Sequence, residues 1–222
     1  MISLSKRLLT IASFVERDKI VDIGCDHALL DIYLIEQNPN RKIIAADIKQ
    51  GALKQAAKNI AKYNLTNSID LRLSDGLSKI EADEINTIIM SGLGCPKIVD
   101  ILNHGKDKLT DDSDIIIQSN TDYYDLRKAV CSLGYFIANE KLVKENNIIY
   151  LIIHFQRGKV KYTNNDYLWG PFLRLEKSSL YRELLTNDLK KKENLYSLIP
   201  NKYILKKFKL KGEIFKLRRT LK

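Results

Sequence analysis

The chain has 222 residues, 45% of them hydrophobic and 29% charged, with four prolines; this excludes disorder as the dominant state and leaves material for one ordinary core and a small appendage. No apolar run approaches the roughly 20 residues of a membrane-spanning helix, and Lys6 and Arg7 stand where a signal peptide needs its apolar core, so a cytoplasmic protein without a membrane partner is expected. The net charge of +10 is uneven: up to Phe155 there are 19 Lys and Arg against 21 Asp and Glu, and after it 18 against 6, the footprint of a nucleic-acid-binding appendage or, alternatively, of a solubilising lysine-rich helix.

An amphipathic helix opens the chain, with Leu8, Ile11, Ala12 and Val15 on one face. Short β-branched runs then alternate with helical patterns. Strands are predicted over 19–23, 42–46, 69–73, 87–90 and 115–117, and helices over 28–37, 51–63, 97–102 and 123–133. These are βαβ units around a buried, mostly parallel sheet. Two further strand-like runs, 135–143 and 148–155, are joined by the polar turn 144–147, so the sheet closes with an antiparallel hairpin. Beyond it, Leu173, Leu180, Leu184, Leu185 and Leu189 form a helical pattern up to Leu198, Pro200 breaks it, and Leu210, Ile214, Leu217 and Leu221 follow at coiled-coil spacing. The expected fold is α/β, a doubly wound Rossmann-like sheet ending in an antiparallel hairpin, plus a small C-terminal α-helical coiled-coil domain, with the boundary between 158 and 159. This order resembles class I S-adenosylmethionine-dependent methyltransferases more than nicotinamide dehydrogenases.

In such a sheet, ligands bind at the carboxyl ends of the strands. The first loop, Asp22-Ile23-Gly24-Cys25-Asp26-His27-Ala28, lacks the G-x-G-x-x-G dinucleotide pattern, because Asp26 stands where the second glycine would be. A pyrophosphate would meet a carboxylate there, whereas an amino-acid ammonium would be attracted to it. Asp26 also suits a helix cap, and His27 reads as a loop histidine rather than a base. Asp47, closing the second strand, is placed to accept from a ribose diol, a feature shared by NAD and S-adenosylmethionine. Asp75-Gly76 ends the third strand, either facing an adenine amine or making an ordinary turn. Ser91-Gly92-Leu93-Gly94 follows the fourth strand and would lie against the reacting groups. Gln118-Ser119-Asn120 offers two amides to a base edge or to a helix cap. Cys25, Cys95 and Cys131 form no CxxC pair, so no disulfide framework and no metal site are expected.

Taken in order, Leu4-Ser5-Lys6-Arg7-Leu8, Asp22 to Ala28, Asp75-Gly76-Leu77, Gly92-Leu93-Gly94, Gly105-Lys106-Asp107-Lys108-Leu109, Gln118-Ser119-Asn120 and Gly170-Pro171-Phe172-Leu173 resemble the bacterial tRNA adenine-22 N1-methyltransferase family. The resemblance implies S-adenosyl-L-methionine as cofactor, tRNA as partner, and methylation of N1 of an adenine in the D-arm region; a monomer is expected. Carried onto the matching motifs, it implies cofactor contacts for Gly24, Asp26, Asp47, Asp75 and Gly76 and substrate-side lining for Gly92, Leu93 and Gly94. Arg7, Asp22, His27, Ile48 and Ser91 are further candidate cofactor contacts, and Asp26 joins Gly92, Leu93 and Gly94 as a catalytic candidate, because a carboxylate would stabilise the cationic product base. Lys190, Lys191, Lys207, Arg218 and Arg219 are the candidate tRNA contacts in the basic tail. Three positions depart from the family pattern: Asp31 and Ser119 stand where proline is usual, and Cys95 where glycine is. Two other readings fit the residues, a non-catalytic RNA-binding module with a nucleoside pocket and a small-molecule methyltransferase.

Overall fold

The computed structural model describes residues 2–221. Two compact units divide at Arg174 and Leu175. In the first, α1 (Lys6–Ala12) precedes β1 (Lys19–Ile23), α2 (Leu29–Gln37), β2 (Lys42–Asp47), α3 (Gln50–Lys62), β3 (Ile69–Leu73), β4 (Thr87–Leu93), α4 (Cys95–His104), β5 (Asp114–Ser119), α5 (Tyr123–Ser132), β6 (Tyr135–Glu145) and β7 (Ile148–Arg157). The seven strands lie in the order β3-β2-β1-β4-β5-β7-β6. The first five are parallel, and β7 pairs antiparallel with both β5 and β6. The centre of the sheet is apolar because helices cover it: every residue of β5 is buried, as parallel strands require. One core cluster joins Ile11, Phe14, Leu34, Ile60 and Ile116.

Strand β4 runs past its expected end at 90. Its pairing with β5 shifts between Ser91 and Leu93, and Gly92 carries the irregularity at φ +77°, a conformation a residue with a Cβ adopts at a cost. The glycine loop is therefore the distorted end of a strand, held more firmly than a free loop.

Segment 159–174, which the sequence assigns to the tail, packs with the sheet unit. The Tyr162 hydroxyl accepts from Ile137 N at 2.9 Å and donates to Ile137 O at 3.2 Å, and α6 (Asn164–Trp169) leads to α7 (Pro171–Glu176), which spans the division. Beneath them is a buried ion pair, Arg127 Nε to Glu140 Oε1 at 2.7 Å. Arg127 Nη1 also donates to Tyr167 O at 2.9 Å, and Glu140 Oε2 accepts from Phe172 N at 3.2 Å. Gly170 closes over the pair at φ +79°, and a Cβ there would stand 2.5 Å from Glu140 Oε2. Gly170→Ala is accordingly expected to cost about 3 kcal/mol or more, through backbone strain and displacement of a buried pair; a urea melt shifted by less than about 0.5 kcal/mol, the scale of an ordinary surface change, would contradict this.

In the second unit, the expected single helix to Leu198 is interrupted. Lys177 takes a left-handed φ of +49°, and the Ser178 hydroxyl accepts from Tyr181 N to start α8 (Ser179–Leu198). Leu173 accordingly belongs to the buried part of the sheet unit and not to the seam. Helix α9 (Ile204–Leu221) returns antiparallel, burying Leu210, Ile214 and Leu217, with Leu185 buried on α8. Lys192 to Glu213 at 2.8 Å and Arg218 to Glu193 at 2.6 Å tie the two helices. No described helix is long and apolar enough to cross a membrane.

Candidate cofactor and substrate site

A cavity of about 590 Å³ opens at the carboxyl ends of β1, β2 and β4, where Asp22, Gly24, Asp26, His27, Asp47, Ile48, Asp75, Gly76, Ser91, Gly92 and Leu93 converge with Arg7. Thus the predicted residues, from five separate stretches of chain, reach one place. Gly94 is the exception: it caps the start of α4 and does not line the cavity. A larger hollow of about 1060 Å³ lies along β2 and the edge strand β3, beside Arg41, Arg72 and Glu84. It is away from the carboxyl ends, where a doubly wound sheet binds its ligands and where the smaller cavity opens.

The first loop is shaped by left-handed residues, Gly24 at φ +81°, Asp26 at +50° and Ala28 at +54°. Gly24 N and Cys25 N both donate to Ala46 O, at 2.8 and 3.1 Å, stitching the loop to the end of β2. The N-cap of α2 is Ala28, without a side-chain bond, so Asp26 is not a helix cap. Instead its backbone N–H points to Asp47 Oδ2 at 3.4 Å, while Lys49 N donates to Asp47 Oδ1 at 2.8 Å. Two backbone donors thus orient Asp47 and leave lone pairs for a diol. His27 holds its loop through its carbonyl, which accepts from Asn59 Nδ2 at 2.8 Å, and its exposed ring lies 3.5 Å from Asp26 Oδ2.

Ile48, 57% exposed at the cavity edge, supplies apolar surface for a planar base. Asp75 is paired with Lys97 Nζ at 2.9 Å, so a ligand amine would share that carboxylate with a lysine. Gly76 is required by packing: a Cβ at its φ of +57° would stand 2.8 Å from Ile101 Cγ1.

On the substrate side, Gln118 organises the β4 end. Its Oε1 accepts from Gly92 N at 3.1 Å, Ser91 Oγ at 3.2 Å and Arg7 Nη1 at 2.8 Å, and Arg7 also reaches Ser91 Oγ at 2.6 Å. Asn120 Nδ2 donates to Gly92 O at 2.8 Å, and its Oδ1 accepts from Gln118 Nε2 at 3.0 Å. The Gln118 amide is spent inside the protein, whereas exposed Asn120 keeps one N–H and one lone pair free; neither caps α5, whose N-cap is Asp122. A Cβ on Gly92 would meet nothing within 4 Å, and one on Gly24 only Leu93 Cδ2 at 3.8 Å, so both glycines border open space. Sequence reasoning missed Glu145, whose Oε2 accepts from Arg7 N at 2.9 Å; this residue ends β6, and only the folded hairpin brings it to the cavity. Lys97 was legible only as the opening of a helix.

On the cavity floor, Asp22 is buried and its carboxyl is pushed up to about 7, chiefly by burial and then by Asp47, with Arg7 opposing. Asp31 is fully buried on α2 and neither carboxyl oxygen finds a hydrogen-bond partner; burial, and then Asp22, raise it well above the usual carboxylate range. The cavity as a whole is acid-rich, with Asp22, Asp26, Asp47, Asp75 and Glu145 facing Arg7, Lys49 and Lys97. This donor and acceptor set fits a nucleoside bearing a cationic side chain and disfavours a pyrophosphate. Among the described residues no cluster of His, Cys, Asp and Glu could hold a metal ion.

In the second unit Lys190, Lys191 and Arg219 are exposed. Lys207 Nζ donates to Asn201 Oδ1 at 2.8 Å and lies over the Tyr196 ring, and Arg218 is paired with Glu193. The last two are therefore partly committed within the hairpin.

The family model described as tRNA (adenine(22)-N(1))-methyltransferase matches residues 20–219. The Bacillus subtilis tRNA (adenine(22)-N(1))-methyltransferase is 30% identical over 205 residues, 89% of this chain and 86% of that protein. A Streptococcus pneumoniae protein solved in complex with S-adenosyl-L-methionine is 29% identical and superposes with a TM-score of 0.90, covering 99% of this chain and 100% of the other. The M. capricolum TrmK structure, which holds the natural cofactor product S-adenosyl-homocysteine, is 31% identical with a TM-score of 0.86, over 98% and 97% of the two chains.

Proposed function

The chain belongs to the tRNA (adenine(22)-N(1))-methyltransferase family, and from that premise we propose how its residues divide the work of moving a methyl group from S-adenosyl-L-methionine to N1 of adenine 22 in tRNA. The observation behind this reading is the convergence of Gly24, Asp47, Asp75 and Gly92 on one acid-rich cavity. Asp47 holds the ribose, Ile48 lies against the adenine, Asp75 takes its amine in competition with Lys97, and Asp22, Asp26 and Arg7 surround the amino-acid end. The cofactor supplies an electrophilic methyl on a sulfonium.

The nucleophile brings its own electron pair. N1 of neutral adenine is unprotonated, so no side chain has to remove a proton before attack. What the protein must do is align the lone pair with the methyl and keep water out, which converts an encounter into a near-attack arrangement. A strand end pinned by Gln118, with Gly92 and Leu93 facing the cavity, suits that task better than a mobile loop. N1 lies on the Watson–Crick edge, so the target base has to be unpaired or flipped, at a cost of a few kcal/mol. The methylated base is cationic, and Asp26 at the cavity mouth stabilises the charge as it develops. His27 has no proton to take.

The second unit grips the tRNA through Lys190, Lys191, Lys207, Arg218 and Arg219, and the protein works in the cytoplasm as a single chain. Incubation with labelled S-adenosyl-L-methionine and unmodified tRNA transcripts, followed by mapping of reverse-transcription stops, tests the whole reading: a stop at adenine 22 is expected, and transfer to no RNA would overturn it. Asp47→Ala should weaken cofactor binding about tenfold to a hundredfold, since hydrogen bonds to a charged acceptor contribute about 1.5–3 kcal/mol. Calorimetry showing parental affinity would remove Asp47 from the ribose.

A further inference from the structure

Helix α9 is apolar on two faces. At 100° per residue, Leu210, Ile214 and Leu217 form the buried face. On the opposite side Leu205, Phe208, Gly212 and Phe215 fall in a line at i, i+3, i+7 and i+10, and the three side chains are 85%, 78% and 67% exposed. Scattered exposed apolar residues need no explanation, but a continuous stripe at helical period marks an interaction surface. The stripe is rimmed by cations, with Lys209 and Lys216 along one border and Lys211 and Arg218 along the other.

Gly212 adds a second, independent observation. It sits inside an exposed helix with no positive φ, and a Cβ there would meet nothing within 4 Å. Folding gains nothing from glycine at such a position, where alanine is the better helix former. What glycine does provide is a bare stretch of backbone between two phenylalanines that lie about 10 Å apart along the axis.

The rim decides what covers this face. The unit from 175 onward carries 14 Lys and Arg against 5 Asp and Glu, so a second copy of the stripe would set like charges against each other. A nucleic acid meets both requirements, phosphates at the lysines and flat base faces on the phenylalanine rings. Bases within a duplex are already stacked, so the exposed faces belong to single-stranded loops. We propose that the Leu205–Phe208–Gly212–Phe215 stripe of α9 is a stacking surface for unpaired bases of the tRNA substrate. This rests on the reading of the second unit as the tRNA grip and extends it from phosphate attraction to contact with bases.

The test uses the full chain and titrates tRNA binding across a range of salt, with cofactor affinity measured alongside. Replacing Phe208→Ala and Phe215→Ala together should weaken tRNA binding at least about tenfold at every salt concentration, with the slope of log affinity against log salt unchanged, because stacking releases no counterions. Lys209→Ala with Lys216→Ala should instead flatten the slope. Gly212→Leu guards against a folding artefact: it should raise thermal stability through helix propensity and still weaken tRNA binding, since it fills the notch. Parental tRNA affinity in both the double phenylalanine variant and Gly212→Leu would overturn the proposal. So would loss of self-association in sedimentation, or loss of binding to phosphatidylglycerol–phosphatidylcholine vesicles, with tRNA affinity intact; these would assign the stripe to a second copy or to a membrane. If the parent itself bound no tRNA, the failure would lie in the underlying reading of the basic unit and the stacking surface would fall with it.

Discussion

Asp31→Asn is expected to stabilise the protein by an amount that grows as pH rises above about 4, the range in which an unfolded aspartate loses its proton. In the parent, Asp31 is fully buried without a hydrogen-bond partner, and burial, then Asp22, hold its carboxyl protonated well above the usual range. An unfolded chain releases that proton near pH 4. Between these points the folded state binds more protons than the unfolded one, so parental stability falls as pH rises, by roughly 1.4 kcal/mol per pH unit for each such group. The fall ends only where the folded carboxyl itself ionises. Asparagine presents a similar buried polar load at every pH and nothing to titrate, so the two proteins should differ little near pH 4 and progressively more as pH rises toward 8. Asp22, pushed up to about 7, contributes a fall of the same sign in both. Urea unfolding of parent and variant from pH 4 to pH 8 measures the gap, and an offset independent of pH would show that Asp31 is ionised in the fold. The family's usual proline is compatible with this position. Asp31 lies in the first turn of α2, before any N–H of the helix is needed by its own ladder except that of Ile32, which donates to Ala28 O.

Local signals made the sheet legible and non-local ones hid the rest. Strands 19–23 and 69–73 begin and end where the sequence placed them: the first is buried beyond its opening lysine, as a strand covered on both faces is, and the second alternates Ile69, Leu71 and Leu73 with polar residues at the sheet edge. The cavity loops were legible for the same reason: they had to follow those strands. Gln118 was misread because its partners, Arg7 and Ser91, come from other elements, and only folding shows that its amide is consumed. Arg127 and Glu140 look like surface charges on a helix and a strand, and nothing local says that they meet beneath Gly170. The boundary at 158 missed α6 and α7 because six-residue helices are too short to show a period. On α9 the seam residues were read, while the second apolar face went unread, since Phe208 and Phe215 share an outer heptad position away from the a and d seam.

That misplaced boundary has a measurable consequence. A chain ending at Arg174 is expected to fold and to bind S-adenosyl-L-methionine like the parent, because it keeps the whole first unit, including the Arg174 ion pair with Asp166 at 2.5 Å. A chain ending at Lys159 retains every strand but removes Tyr162 from Ile137, Tyr167 O from Arg127 and Phe172 N from Glu140, and it uncovers the buried ion pair. Buried charges that lose partners cost about 3–5 kcal/mol, enough to leave the shorter chain marginal against a typical total of 5–15 kcal/mol. Equal melting temperatures for the two truncations would show that segment 160–174 is a passive linker. Both should lose tRNA affinity with the basic hairpin. Each phosphate contact removed should lower the salt slope by roughly 0.7–0.9, so the Arg174 chain, intact by cofactor calorimetry, should bind tRNA weakly and with a flattened salt dependence. Parental affinity and slope in that chain would move the RNA surface onto the sheet unit, where Lys and Arg up to Phe155 are outnumbered by Asp and Glu, 19 to 21, and where binding would have to come from a local patch against the prevailing charge.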